Sequence, residues 1–261
     1  MTFKKNLNTI YNKTIGVVMK DFLQDIVQHT HGLGFIDTVK VVGTDSETLI
    51  EGLAEDRSVI VKGKFKSPIA EFIGTFGMPN LSKLNILLNI PEYKEDAKID
   101  INTQDRNGET VPVGLHFENT RGDFKNDYRF MTSEVINDKL KTVKFKGVNW
   151  NVEIEPSIAS ISRLKMQSQV HSEETTFIAK TDDGHLKFFF GDHSTHAGNF
   201  TFQHDITGTL KHGWHWPVQQ VISILGLPGD AKMRFSDEGA SMISIDSGLA
   251  EYDYILPAQQ K

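Results

Sequence analysis

An internal repeat with a period of 137 residues constrains the fold of this chain more than any other sequence feature. Asp45 and Asp182 are 137 positions apart, and so are Pro91 and Pro228. The aligned stretches are GTDSETLIEGL (43–53) with KTDDGHLKFFF (180–190), and MPNLSKLNILLNIP (78–91) with HWPVQQVISILGLP (215–228). A solenoid repeats every 20–50 residues or so, and therefore a period this long indicates two similar domains.

Each half shows the same order of elements. Apolar periodicity predicts a first helix over about 17–30 that recurs over about 156–169, and a second helix over about 80–90 that recurs over about 216–226. Short alternating strands lie between and after the helices, with hairpin turn signals such as Asp182-Asp183-Gly184. Two helices among many strands predict an α+β fold, with two similar domains that each carry two helices on antiparallel sheets.

The predicted domain boundaries follow from the repeat. We expect a first domain over 1–131, a linker over 132–147 and a second domain over 148–261. The linker assignment depends on TSEVINDKLKTVKFKG, whose first residues show little periodicity.

Composition excludes several classes of function. The chain contains no cysteine, which excludes disulfides and thiolate metal sites and fits a reducing interior. No apolar run approaches the roughly 18 residues that a membrane helix needs, and no apolar stretch follows the lysines of MTFKKNLNTIYNK as in a secretory signal. The net charge of −6 argues against a protein that coats nucleic acid with its whole surface.

The predicted helices carry an unusual charge. Segments 17–31, 78–91, 156–171 and 211–228 together sum to +3, which leaves −9 for the rest of the chain. Their polar faces are rich in Gln, Asn and Ser, opposite apolar rows such as Ile158, Ile161 and Leu164, which we expect to face the core. Amide and hydroxyl groups contact phosphates without the strong salt-dependent grip of many lysines and arginines, so these faces suit sliding along a nucleic acid.

The order of several short motifs resembles that of DNA polymerase sliding clamps, the processivity factors of the PCNA type and of T4-like phages. The motifs are VGTDSETLIEGL (42–53), NDYRFM (126–131), KTDDGHLKFFF (180–190) and DSGLAEYDYILPA (246–258). The resemblance spans nearly the whole chain. It departs most over NTQDRNGETVPVGLHFENTRGDFKN (102–126), which is longer than expected for that family.

The resemblance implies a non-enzymatic ring that encircles double-stranded DNA and tethers the replicative DNA polymerase. Two domains per subunit would make the ring a homotrimer, closed by pairing between edge strands and opened by a clamp loader. The helices would line the hole. We expect no catalytic residue, cofactor or metal, and a cytoplasmic location, which for a phage protein means the host cytoplasm or nucleoid.

Two sets of site residues follow from this resemblance. The DNA-facing set comprises Lys20, Gln24, Lys83, Arg163, Lys165, Gln167 and Lys211. The family binds partner peptides in an apolar pocket between its domains, and the corresponding positions are Leu49, Ile136, Leu140, Ile255, Leu256 and Pro257. Simple core packing is the alternative explanation for each of these apolar residues.

Two other functions remain open at the level of sequence. A structural phage protein rich in β-strands fits the composition. The ten histidines, with pairs such as His193 and His196, allow a metal hydrolase, although HExxH, Gly-x-Ser-x-Gly and a phosphate-binding glycine loop are all missing from the sequence.

Overall fold

The structure is a computed structural model that describes residues 19–94, 97–106, 108–141, 145–192 and 196–259. Residues 17–18 of the predicted first helix, residues 142–144 of the predicted linker and His193 lie outside this part of the chain. Over the described residues, no helix has the length and apolar character needed to cross a membrane.

The chain divides into two compact units. The first unit comprises residues 1–53 and 63–141, and the second comprises residues 54–62 and 142–261. In the first unit, helix α1 runs through residues 19–29. The other elements of this unit are β1 (Thr38–Gly43), β2 (Thr48–Leu53), β4 (Gly74–Pro79), α2 (Leu81–Asn89), β5 (Lys98–Arg106), β6 (Glu109–Glu118), β7 (Lys125–Arg129) and α3 (Ser133–Lys139), and β3 (Ile60–Phe65) crosses the division between the units.

The second unit repeats this order of elements. Its elements are β8 (Val152–Ile154), α4 (Ile158–Val170), β9 (Thr176–Asp182), β10 (His185–Phe190), β11 (Gly198–Gln203), β12 (His215–Pro217), α5 (Val218–Leu225), β13 (Asp230–Ser236), β14 (Ala240–Asp246) and β15 (Ala250–Pro257).

All pairings given for these strands are antiparallel, as predicted. The first unit contains the strand order β4–β1–β2 and a three-stranded sheet β5–β6–β7. The second unit contains a four-stranded sheet β11–β10–β9–β12 and the order β15–β14–β13–β8. Thus β9, β10 and β12 correspond to β1, β2 and β4, and β13–β15 correspond to β5–β7.

These correspondences confirm the prediction of two similar α+β domains. Strands β2 and β10 have six residues each and start 137 positions apart, at Thr48 and His185. Helices α2 and α5 also start 137 positions apart, at Leu81 and Val218.

Strand alternation and helix periodicity explain how each unit builds its core. In β10, Leu186, Phe188 and Phe190 are buried while the residues between them are half-buried. Phe188 stacks on Phe202 with 4.3 Å between ring centroids and meets the edge of Phe235 at 6.0 Å. Because Phe235 belongs to the other sheet, these rings join both sheets of the second unit in one core.

Helix ends are set by local chemistry. The side chain of Asn80 accepts a hydrogen bond from the backbone N–H of Lys83 and begins α2, and Ser157 accepts one from Ser160 at the start of α4. In the β9–β10 hairpin, Asp183 and Gly184 have φ angles of 49° and 75°, as a type I′ turn requires.

Some elements were missed by the sequence analysis. Strands β4, β8 and β12 were not predicted, and β8 and β12 have only three residues each. Residues 133–139, inside the predicted linker, form α3. The hairpin β5–β6 has strands of nine and ten residues, whereas its counterparts β13 and β14 have seven each, which accounts for the extra length noted between residues 102 and 126.

The loop that carries Lys211 should tolerate no side chain at Gly208. Gly208 and Gly74 share a φ angle of +96°, but a Cβ at Gly208 would lie 1.9 Å from the carbonyl oxygen of Asn151, and one at Gly74 would meet nothing within 4 Å. In both alanine variants, the left-handed backbone should lower the free energy of unfolding by roughly 1–2 kcal/mol. We expect Gly208→Ala to lower the free energy of unfolding by about 1–3 kcal/mol more, from the steric clash, in urea titrations. Equal losses in the two variants would contradict this.

Candidate nucleic-acid interface and partner-binding residues

Three helices carry no acidic residue. The only charged residues of α2, α4 and α5 are Lys83, Arg163 and Lys165, so these helices sum to +3. The first helix differs, because Asp21 is exposed and Asp25 is buried beside His29. A surface without carboxylates presents no like charge to phosphate groups.

Helix α2 separates its apolar and polar faces clearly. Leu81, Leu84, Leu87 and Leu88 are buried, as the sequence predicted. The ammonium group of Lys83 is exposed, and no carboxylate pairs with it within the described residues. Lys83 is therefore available to a bound anion.

Helix α4 is much more exposed than its sequence suggested. Leu164 is the one residue that it buries. The prediction that Ile158 faces the core is wrong, since 85% of Ile158 is exposed. Lys165 is exposed without an ion pair in the described part of the chain, and Gln167 is half-buried.

Arg163 is directed at the edge of a sheet. Its guanidinium donates a hydrogen bond of 3.1 Å to the backbone oxygen of Thr201 in β11, and lies over the ring of Phe200 at 5.3 Å. Beside it, Met166, Gln167, Val170, Asn199 and Phe200 line an apolar cavity of about 370 Å³. Met166 and Val170 are 56% and 70% exposed, and the sequence analysis assigned them no role. The signal that could have found them is their position outside the apolar row predicted for this helix.

Lys20 contributes to the structure of the first unit. Its ammonium donates to the backbone oxygens of Tyr93, at 2.7 Å, and Lys94, at 3.3 Å. Partial burial lowers its pKa, against the opposing effect of the Asp21 charge, and the positive charge of Lys94 lowers it further. One turn later in α1, Gln24 is exposed and presents an amide.

Lys211 lies in the loop before β12 and not on a helix. Its backbone N–H donates to the carboxylate of Asp237 at 2.8 Å, and its side chain is exposed. Trp214 donates from Nε1 to the backbone oxygen of the same Asp237. This loop is thus attached to the β13–β14 turn.

The partner-peptide candidates of the first unit serve mainly in packing. Ile136 is fully buried on α3, and a Cβ placed on Gly77 of β4 would come within 2.8 Å of its side chain. The glycine therefore lets α3 lie close against β4. Leu140 is 7% exposed at the end of this helix, whereas Leu49 in β2 is half-buried.

The candidates of the second unit occupy the C-terminal strand. Ile255 and Leu256 are buried in β15 and pair in register with Met242 and Ser241 of β14. Pro257 is exposed at the end of the strand. Of the six candidates, Leu49 and Pro257 present the most surface to a partner.

The histidine pairs do not form a metal site in the described part of the chain, where no group of three His, Cys, Asp or Glu side chains could hold an ion. His116 contacts the carboxylate of Asp127 at 2.8 Å, and His212 lies 3.8 Å from that of Asp237. Each contributes a pairwise contact on the surface.

The fold is that of known PCNA structures. PCNA from A. fulgidus, in a structure described as bound to the C-terminal region of FEN-1, has a TM-score of 0.65 and 10% identity, over 94% of this chain and 96% of that one. PCNA from Thermococcus kodakaraensis has a TM-score of 0.61 and 11% identity, over 95% and 96%. No protein-family model and no curated protein matches the sequence. The expected clamp fold is therefore confirmed by structure alone.

Packing of α3 gives a direct test of how Ile136 acts. Ile136→Ala should lower the free energy of unfolding by about 2–4 kcal/mol, because it leaves a cavity between α3 and β4. Val135→Ala is the control, since Val135 is the neighbouring residue on the same helix and is 51% exposed. Urea titration and amide hydrogen exchange of residues 133–139 measure the effect. If both variants lose the same stability, Ile136 does not anchor the helix.

Proposed function

We propose that the protein is a DNA sliding clamp, a ring-shaped processivity factor that encircles duplex DNA and tethers the replicative DNA polymerase. The observation that carries the proposal is the set of acid-free helices on a fold shared with PCNA over 94% of the chain. An acidic protein that must move along a polyanion needs a local surface without carboxylates, and it needs retention that does not depend on tight ionic contacts.

The seven DNA-facing candidates differ in how they would act. Lys83 and Lys165 would contact phosphates directly, because both are exposed without an ion pair in the described residues. Gln24 and Gln167 would add amide contacts. Lys20 and Arg163 already donate hydrogen bonds to backbone oxygens. They would therefore contribute positive electrostatic potential more than direct contacts with phosphates. Lys211 would reach the duplex from the loop before α5.

Strand order supports assembly into a ring. In the second unit, residues 60–62 of β3 join the sheet at β15. The repeat makes β11 the counterpart of β3 and β7 the counterpart of β15, and both β11 and β7 are edge strands in the described structure. We propose that β7 of one copy pairs with β11 of the next, in a head-to-tail contact that closes as a homotrimer.

Partner proteins would dock short apolar segments on the clamp. The A. fulgidus PCNA is described as bound to the C-terminal region of FEN-1. By likeness, we propose that segments of the DNA polymerase and of the clamp loader bind at Leu49, Ile136, Leu140, Ile255, Leu256 and Pro257. The exposed parts of Leu49 and Pro257 would make direct contact, and the buried members would shape the surface beneath.

The proposal includes a non-enzymatic role in the cytoplasm, which for a phage protein is the host cytoplasm or nucleoid. The alternatives are not favoured. A histidine-ligated hydrolase needs a ligand group that the described residues do not provide. A structural phage protein gives no reason for helices α2, α4 and α5 to lack carboxylates.

Assembly and topology can be tested together. Sedimentation at low micromolar concentration should give three times the 29.4 kDa of one chain. Rings allowed to form from dilute subunits in the presence of nicked circular plasmid should stay bound during gel filtration at high salt and leave after the plasmid is cut. This procedure needs no loader. A monomeric mass, or equal retention on linear and circular DNA, contradicts the proposal.

The helix lysines can be tested with a charge-matched control. We expect Lys83→Glu combined with Lys165→Glu to shorten the lifetime on circular DNA about tenfold at moderate salt, because two phosphate contacts become repulsive. The control combines Lys62→Glu with Lys146→Glu, which makes the same charge change at exposed positions outside the helices. Thermal unfolding should be unchanged in both. Equal lifetimes for the two double variants would show that the helices do not face DNA.

A further inference from the structure

Charged side chains on the exposed face of the sheet β5–β6–β7 are arranged in pairs. Alternate residues of these strands share this face, and three of its basic side chains have a carboxylate partner. The pairs are Lys98 with Asp100 at 2.7 Å, Lys125 with Glu118 at 3.4 Å, and His116 with Asp127 at 2.8 Å. Such a face is electrostatically satisfied and offers little to a charged ligand.

Two arginines at one end of this sheet break the pattern. Arg106 ends β5 and Arg129 ends β7, and both are exposed. Neither guanidinium makes an ion pair or a hydrogen bond with the described side chains, which do not include that of Glu109 opposite Arg106, in a chain of net charge −6. Arginine presents a planar fork of donors that matches a carboxylate in a bidentate manner, so two exposed arginines form a ready donor site for acidic groups.

A cavity of about 470 Å³ is lined by both arginines and by a mixture of polar and apolar residues. Phe76 and Phe130 line it and stack on each other with 4.4 Å between ring centroids. Pro112, Val113 and Met131 complete the apolar lining. The volume suits one or two apolar side chains in a cleft with cationic ends.

The cavity depends on a feature that the second unit lacks. Its lining includes Arg106 and Val111, which lie in the part of the β5–β6 hairpin that exceeds the seven-residue strands β13 and β14. The cleft therefore depends on the greater length of strands β5 and β6 in the first unit.

Glu134 at the start of α3 also lines the cavity. Its own backbone N–H lowers the pKa of its carboxyl group, with further help from the Thr132 and Ser133 hydroxyls and the Arg106 charge. This carboxylate can accept a hydrogen bond from the backbone N–H of a bound peptide. The cleft thus combines cationic ends, an apolar floor and one acceptor.

We propose that this cleft, the Arg106–Arg129 pocket, binds an acidic peptide segment of a partner protein. An apolar side chain of the segment fills the floor, and flanking carboxylates pair with Arg106 and Arg129. The site lies within the first unit, shares no residue with the partner-peptide candidates named above, and does not require a ring. Because Arg129 ends β7, the strand proposed above to pair with a second copy, the oligomer mass of each variant is measured beside its peptide binding, which distinguishes loss of assembly from loss of the peptide site.

A synthetic, fluorescently labelled hexapeptide, Asp-Asp-Phe-Leu-Asp-Asp, is a suitable probe for fluorescence anisotropy at low ionic strength. Arg106→Gln combined with Arg129→Gln should weaken its binding at least tenfold, about 1.4 kcal/mol. The control combines Arg57→Gln with Arg121→Gln, which removes two exposed arginines in turns elsewhere. Peptides with Asn for Asp, or with Ser for Phe and Leu, should bind more weakly to the parent protein, and added salt should weaken binding of the acidic probe.

Several results would overturn the assignment. One is no binding of the acidic probe at millimolar concentration, and another is equal binding by the parent protein and by the Arg106–Arg129 variant. Loss of duplex DNA retention in that variant with unchanged peptide binding would assign the arginines to phosphates. A lower oligomer mass in the variant with unchanged peptide binding would show that a second copy of the chain covers the cleft.

Discussion

Burial of one face of helices α2 and α5 against a sheet is the constraint on which the rest of this structure depends. In α2 the buried face consists of four leucines, and in α5 it consists of Val218, Val221, Ile224 and Leu225. Each such side chain contributes roughly 1.5–3 kcal/mol when it leaves water. Because these residues fix the rotation of the helix, they also decide that amides, hydroxyls and Lys83 face outward. The packing that stabilises each unit therefore sets the chemistry of its exposed helix surface.

The acidic residues lie mainly on strands and loops, where basic side chains of the same sheet form ion pairs with them. Lys40 lies 2.9 Å from Glu51, and Arg234 contacts Glu153 across two neighbouring strands. Exposed pairs of this kind add little stability. Their consequence is a distribution of charge in which the acid of a −6 chain stays off α2, α4 and α5. The net negative charge of such a protein disfavours binding of DNA over its whole surface. Helices without carboxylates can still lie next to DNA.

Periodicity along the sequence reports the spacing of residues but not their partners in the fold. Ile158 continues the apolar row of α4 and yet is exposed, since no described element of the unit covers the start of that helix. Ile136 lies in a segment of weak periodicity, but Gly77 allows α3 to pack close to β4, which buries Ile136. Leu140 is also buried, at the end of the same helix. The sequence pattern likewise did not show that Lys20 and Arg163 both bond backbone oxygens that are distant in the sequence.

The sequence by itself determined the duplication, the α+β class, the position of helices α1, α2, α4 and α5, most strands, and the absence of acid from three helices. These properties depend on local spacing, turn residues and composition, which can be read along the chain. Only the tertiary structure decided which cations have partners, how far each partner-peptide candidate is buried, and where Arg106 and Arg129 meet an apolar floor. Such properties depend on side chains brought together from strands that are far apart in sequence, and no local pattern records those distances.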